Sequence, residues 1–205
     1  MELMLRLYLL QNLYNLSDMQ TAEQAIYSRA FSGFRGISSP DDVPDGDTIG
    51  RFRNLLIKAG VQKDLFAQVV VLLKSKDMIL KKGTLVDSTI ISSPSSTKNK
   101  ERSRDPQAHS VKKGNEWKFG YKAHIGADSE SGPVHSVKVT AANIHKEHHK
   151  SSVRAKVEHV FAVIKNLFGY RKTRYRDKRK QTAKLNMLFA LANLYLADKR
   201  FGLSA

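Results

Sequence analysis

Apolar side chains recur along the chain at two different spacings, and the spacing changes after Lys82. Over 1–80 it is helical. Leu3, Leu7 and Leu10 mark one stripe, separated by three and four residues as one face of a 3.6-residue helix requires. "SDMQTAEQAIYSRAF" opens a second helix, with Thr21 and Gln24 spaced as a capping box. The acidic, turn-rich "DDVPDGD" leads into a helix from about Thr48, with Asp47 as its N-cap and Gly60 as its stop. Another helix is expected over 64–74.

Beyond Lys82 the period shortens. "GTLVDSTIIS" is short and β-branched, the composition of a strand. "STKNKERSRDPQAHSVKKGN" is polar, basic and aperiodic, and reads as a loop. "WKFGYKAHIGA" alternates: Trp117, Phe119, Tyr121, Ala123 and Ile125 face one way, while Lys118, Gly120, Lys122 and His124 face the other. "DSESGP" is a turn and "VHSVKVTAA" a returning strand, so the pair predicts an antiparallel hairpin. From 151 to 176 the spacing is helical again, with Val153, Val157, Phe161, Ile164 and Phe168 as the apolar stripe. "QTAKLNMLFALANLYLA" is apolar nearly all round, as a buried helix would be. There are no internal repeats. The expected class is α+β: a helical domain over 1–80, then a mixed domain over 81–205.

Composition narrows the function. The 205 residues suffice for a medium domain with a smaller companion, and a hydrophobic fraction of 41% supplies a core. No cysteine is present, which excludes disulfides and thiolate metal sites and fits a reducing compartment. The net charge is +16 and the pI about 10.0, a balance that suits a polyanionic partner, nucleic acid first. That charge is placed unevenly. Residues 1–60 hold six Arg or Lys against seven Asp or Glu, whereas "RKTRYRDKRK" at 171–180 holds seven bases and one acid. A second basic cluster spans 98–118. The rear of the chain is therefore the part expected to meet phosphates. The front helices suit either a DNA-reading helix-turn-helix or a plain packed subdomain. "MELMLRLYLLQNLYNL" is interrupted by Arg6, Gln11 and Asn12 well short of a membrane span, and it lacks the basic start and cleavage site of a signal peptide.

Few residues are placed to do chemistry. Asp87 lies inside a strand beside Val86, Ile90 and Ile91, where an unpaired carboxylate is costly; a strand-end Asp bonded to backbone or water would explain it equally. At 100° per residue, Arg154, Glu158 and Lys165 fall within about 40° of one another on the flank of the apolar stripe. The plainer account is an i,i+4 Arg–Glu surface pair. His145, His148 and His149 in "IHKEHHK" lack the spacing of a defined ligand set and read as solvated loop residues. Asp105 and Asp128 read as structural, one in a basic loop and one in a turn.

These strings resemble a family. "VDSTII", "RDPQAHSVKKGNEWKFGYKAHIGADSESGPVHSVKVTAANIH" and "RAKVEHVFAVIKNLFGYRKTRYR" followed by "KLNMLFALANLYLA" are similar, in order, to the DDE transposases of bacterial insertion sequences, specifically the insertion-sequence-five group. "LMLRLYLLQNLYNLSD" and "VPDGDTIGRFRNLL" are similar to their N-terminal helical domain. The resemblance implies an RNase H-like core in which an Asp-Asp-Glu triad holds two divalent ions, Mg²⁺ or Mn²⁺, for in-line displacement at phosphorus. It makes Asp87 the first carboxylate and Glu158 the last. Arg154 and Lys165 fit the basic members of the family's Tyr-Arg-Glu-Lys signature, with Ser151 at the tyrosine position. Arg171, Lys172, Arg174, Arg176, Lys112 and Lys113 are the further DNA contacts expected. The implied partner is double-stranded DNA at element ends, with a homodimer or a full-length transposase as protein partner, in a bacterial cytoplasm close to the nucleoid.

One part of the pattern is missing. The family carries its second Asp on a strand after the "TAANIH" hairpin, several tens of residues before the glutamate helix. Here only "KEHHK" separates His145 from Ser151. Asp105 and Asp128 precede that strand, and Glu147 lies at the junction. The chain therefore reads as an internally deleted copy, shortened around 145–151, with impaired catalysis. The front is expected to be shortened too, since Met1 opens inside a helix. The alternative is a non-enzymatic DNA-binding remnant acting as repressor or dominant-negative partner of a full-length transposase. A basic RNA-binding protein is the third reading, though core packing accounts better for Phe119 and Tyr121 than base stacking does.

Overall fold

A computed structural model describes residues 1–35, 39–80, 83–98, 101–144 and 154–202, without the side chains of Arg35, 154–157 and Phe201. His145, Glu147, His148, His149 and Ser151 thus lie outside the described residues, as does the side chain of Arg154. The protein is α+β. It divides into two compact units, Met1–Val61 and Gln62–Ala205, a different cut from the 80/81 boundary read from the change of period.

The first unit is helical. It holds α1 (Glu2–Leu13), α2 (Asp18–Tyr27), α3 (Arg29–Arg35) and α4 (Gly46–Ala59). Leu7, Ala22, Ala25 and Ile49 form its core, with Leu3, Met4 and Val43 against it. The caps differ from those expected. Ser17, not Thr21, closes the box on α2, its hydroxyl accepting from the Gln20 N–H and the Gln20 side chain accepting from the Ser17 N–H. Asp45, not Asp47, caps α4 through the Thr48 N–H at 2.6 Å. "DGD" offers two equivalent carboxylates, and only close approach decides between them: a Cβ on Gly46 would stand 2.3 Å from Met19 Sδ, so the helix start sits hard against α2. Asp18 ties three helices together. It accepts from Gln11 at 2.8 Å and from Arg53 Nε and Nη2 at 3.1 and 2.8 Å, the bidentate fork that suits a guanidinium.

In the second unit α5 (Val61–Ser75) precedes β1 (Thr84–Ser92), β2 (His109–Lys113), β3 (Glu116–Asp128) and β4 (Val134–Ala141), then α6 (Arg154–Ala162) and α7 (Lys178–Phe201). The strands form one antiparallel sheet with long β3 at its centre: β1 lies along one side, and β2 and β4 along the other. Alternation along β3 buries Tyr121, Ala123, Ile125 and Ala127, as its sequence requires. Two expectations fail here. The basic stretch before Trp117 is not all loop, because His109–Lys113 pairs with β3; its single apolar residue, Val111, gave no alternation to read. Trp117 does not join the core but stays 72% exposed, near the start of β3 where the chain turns from β2.

Nor is 151–176 one continuous α-helix. After Ala162 the chain widens into a π-helical turn, Val163–Leu167, in which the Phe168 N–H reaches Val163 O. Gly169 at φ 66° then ends it. Residues 171–173 run beside the end of β1 instead, with Thr173 N–H on Ser92 O at 2.7 Å and a parallel bridge from Lys172 to Ser92. α7 is the apolar helix expected, burying Leu185, Met187, Leu188, Phe189, Ala190 and Ala192. Its Asn193 clasps β4, accepting from Val134 N–H at 2.8 Å and donating to Val134 O at 2.7 Å. No described helix is long and apolar enough to cross a membrane.

Candidate active site and nucleic-acid interface

The site begins on β1. Asp87, Thr89 and Ile91 alternate onto one face, opposite Ile125, Ala123 and Tyr121 of β3. Ile91 is fully inside, whereas Asp87 and Thr89 are half-buried, so the face passes from core to solvent at the carboxylate. Asp87 Oδ1 accepts from the Ser88 N–H at 2.7 Å. α6 packs against β1, and on α6 Glu158 is exposed to solvent.

Lys165 reaches the same strand. Its Nζ donates to Thr89 Oγ1 at 2.5 Å, two residues along from Asp87. The extra residue in the π-helical turn breaks the 100° phase assumed from sequence, and such turns often mark functional positions. Burial first, then the charges of Lys113, Lys118 and Arg171, hold the Lys165 ammonium below its ordinary lysine range. Arg171 is fixed by Lys165 O at 3.1 Å and Asn166 Oδ1 at 2.6 Å. Lys122 is likewise lowered, by burial and then by Lys113, and its Nζ donates to Ile144 O at 2.9 Å.

So the structure gathers Lys113, Lys165 and Arg171 of the expected contacts and adds Lys118, Lys122 and Thr89. Thr89 could have been found by alternation from Asp87; the two lysines needed the pairing of β2 with β3. Lys112 is exposed on the same β2–β3 hairpin, and Lys172 is exposed beside Ser92. Arg174 is exposed further along the segment. Arg176 has a structural engagement instead, donating to Glu101 Oε2 at 2.7 Å and Ser103 O at 2.5 Å. Arg154 opens α6.

Other acids are occupied elsewhere. Asp105, 5% exposed, accepts from Tyr121 OH at 2.7 Å and from the Gln107 and Asp177 N–H groups at 3.1 Å. Asp128, 1% exposed, organises the turn before β4 through Glu130 N–H, Ser131 N–H and Ser131 Oγ at 3.1, 2.8 and 2.7 Å. Among the described residues no group of three or more His, Asp or Glu is arranged to hold a metal ion.

Comparison with known families accounts for most of the chain. The family described as Transposase domain (DUF772) matches residues 1–55. The family described as Transposase DDE domain matches in two pieces, 80–149 and 146–194. No solved structure matches. A strand-borne Asp and an exposed Glu on the helix that packs against that strand thus coincide with a match over more than half of the sequence, and the chain belongs to the DDE transposases of insertion sequences, proteins of DNA transposition.

Proposed function

We propose that the chain binds DNA as a transposase of the insertion-sequence-five group but carries an incomplete strand-cleaving centre. The observation that carries this reading is the contrast between its cations and its acids. The charges of Lys113, Lys118 and Arg171 all bear on Lys165, an accumulation of cations that suits a phosphate-binding border. Among the described residues, the acids brought to it are Asp87 on β1 and Glu158 on α6. The family implies a divalent ion, Mg²⁺ or Mn²⁺, but the residues described do not fit one: Asp105 and Asp128 are occupied by buried hydrogen bonds, and no third ligand joins the pair. The two-piece family match, meeting at 146–149, supports a segment lost from an RNase H-like core where the second Asp belongs. Asp87 and Glu158 are the remaining metal-ligand and catalytic pair. Lys165, Arg154, Arg171, Lys112, Lys113, Lys172 and Arg174 are the phosphate contacts, with Arg176 bracing the loop behind them.

The test is incubation of the folded chain with supercoiled plasmid carrying the ends of its element, in Mg²⁺ and separately in Mn²⁺, beside Asp87→Asn. Little or no nicking by either protein is expected, with end binding that weakens steeply as salt rises. Robust nicking lost in Asp87→Asn would overturn the impaired centre. A helical front unit joined to an intact cationic border also suits a repressor or dominant-negative partner of a complete transposase. That reading requires preference for element ends over random DNA of equal length.

A further inference from the structure

The chain has one tryptophan, and the fold leaves it in water. Trp117 is 72% exposed near the tip of the β2–β3 hairpin, which closes through Gly114 and Asn115. Gly114 takes φ 62° there, the left-handed turn that a two-residue hairpin loop demands. Exposing the largest apolar side chain on a turn tip forgoes its burial, and isolated exposure in a basic setting calls for a ligand with a flat apolar face.

Its neighbours are cations on both faces of the hairpin. Lys112 stands directly across from Trp117 in the β2–β3 register. Alternation places Phe119 on the same side as Trp117, and the Arg104 guanidinium lies 5.7 Å from the Phe119 ring centre. Lys113 and Lys118 project from the opposite face. Lys118 lies 3.3 Å from Glu116, an exposed pair that leaves the tip strongly basic. The charges of both lysines bear on Lys165, which links the tip electrostatically to the site on β1.

We propose that Trp117 is a base-stacking platform, taking an unpaired nucleobase of bound DNA while Lys112, Lys113 and Lys118 hold the flanking phosphates. Charge selects a nucleic acid over an apolar protein surface, and the ring requires an exposed π-face. Bases inside a duplex have both faces covered by neighbours, so the ligand is a single-stranded tail or a frayed end. Stacking on an aromatic side chain is tolerant of base identity, so the platform recognises that a strand is open, not which base is there. The inference rests on the DNA-binding reading above and adds to it a preference for unpaired DNA.

As the sole tryptophan, Trp117 reports on itself. Its fluorescence is titrated in the full chain with a duplex bearing a single-stranded tail, the same duplex with an abasic tail, and a blunt duplex. The tailed duplex is expected to quench the emission and to bind about 5- to 100-fold more tightly than the abasic one. Trp117→Ala should erase that ratio with an unchanged circular dichroism spectrum, and Trp117→Phe should restore part of it. Equal affinity for the tailed and abasic duplexes without quenching overturns the platform while leaving DNA binding standing. Salt-insensitive binding, or none, removes the DNA-binding reading itself. A blue shift that grows with protein concentration in the absence of DNA also overturns the platform, by showing that a second copy covers the ring.

Discussion

Two cations, a buried one in the first compact unit and a half-buried one in the second, are treated differently by their surroundings. In the first unit Arg53 has a side chain 9% exposed and meets the Asp18 carboxylate at 2.8 Å. In the second, the half-buried Lys165 donates to the hydroxyl of Thr89 at 2.5 Å, and among the described residues the charges of Lys113, Lys118 and Arg171 lower its pKa. A buried charge without a counter-charge is expensive and persists mainly where function needs it. The first cluster is complete in itself. In the second, no ion pair to Lys165 is found among the described residues, and a DNA phosphate is the anion that the family's work would bring.

The largest effect expected is in the completed cluster. Asp18→Ala removes the bidentate carboxylate partner of Arg53 and leaves the buried guanidinium its neutral partner Asn54 Oδ1 at 3.1 Å. Losing one partner of a buried pair costs about 3–5 kcal/mol; the 23% exposure of Asp18 places this case near the lower end, about 3 kcal/mol. Urea denaturation followed by circular dichroism measures it. A change below about 1 kcal/mol would mean that Arg53 is rescued by water, and the contrast with Lys165 would lose its structural arm.

A completed cluster in the second unit serves as the control of intermediate size. Asp105 accepts from Tyr121 OH at 2.7 Å inside the core, so Tyr121→Phe leaves a buried carboxylate one donor short, for about 1–3 kcal/mol. The same contact gives a pH signature. Burial first, then the hydrogen bond to Asp105, raises the Tyr121 pKa above its ordinary 10.0, and burial raises that of Tyr170 in the same direction. Groups raised in the fold favour folding fully below their unfolded value, and that contribution disappears as pH climbs from about 10 toward the folded values. Stability attributable to these tyrosines should thus hold through neutral pH and fall above about 10, with the tyrosinates of Tyr121 and Tyr170 appearing only as the chain unfolds. A full complement of tyrosinate in a still-folded chain would contradict it.

How far these features could be read in advance follows the same divide between local and long-range causes. β1, β3, β4 and α7 were legible because each has a strict period and a uniform face. Asp87 was legible because a carboxylate in a β-branched strand violates that period. β2 was not, since Val111 is the single apolar residue in "HSVKK" and only its partner strand defines it. Helical geometry placed Lys165 near Glu158, but the π-helical turn and the break at Gly169 arise from packing across the sheet and leave no periodic mark. The same blindness hid Lys118 and Lys122 from the expected site, and it made residues 171–173 look helical when they run beside the end of β1.

The smallest stability effect separates the two kinds of cluster most cleanly. Lys165→Met keeps the aliphatic stem and removes a charge that the fold disfavours. Because the folded ammonium titrates below 10.5, its protonated form opposes folding at neutral pH, and that opposition fades as pH rises through the folded value toward 10.5. The variant should therefore melt at or slightly above the wild-type temperature, within about 0.5 kcal/mol of it. DNA binding should move the other way, with affinity reduced and the slope of log affinity against log salt shallower by about 1, the signature of one lost phosphate contact. Bound phosphate supplies the missing anion and raises the lysine's pKa, so wild-type affinity should also decline at alkaline pH while that of Lys165→Met stays flatter. If Lys165→Met instead melted well below wild type and kept its full salt slope, Lys165 would be a structural cation like Arg53, and the border beside Asp87 would have no claim on DNA.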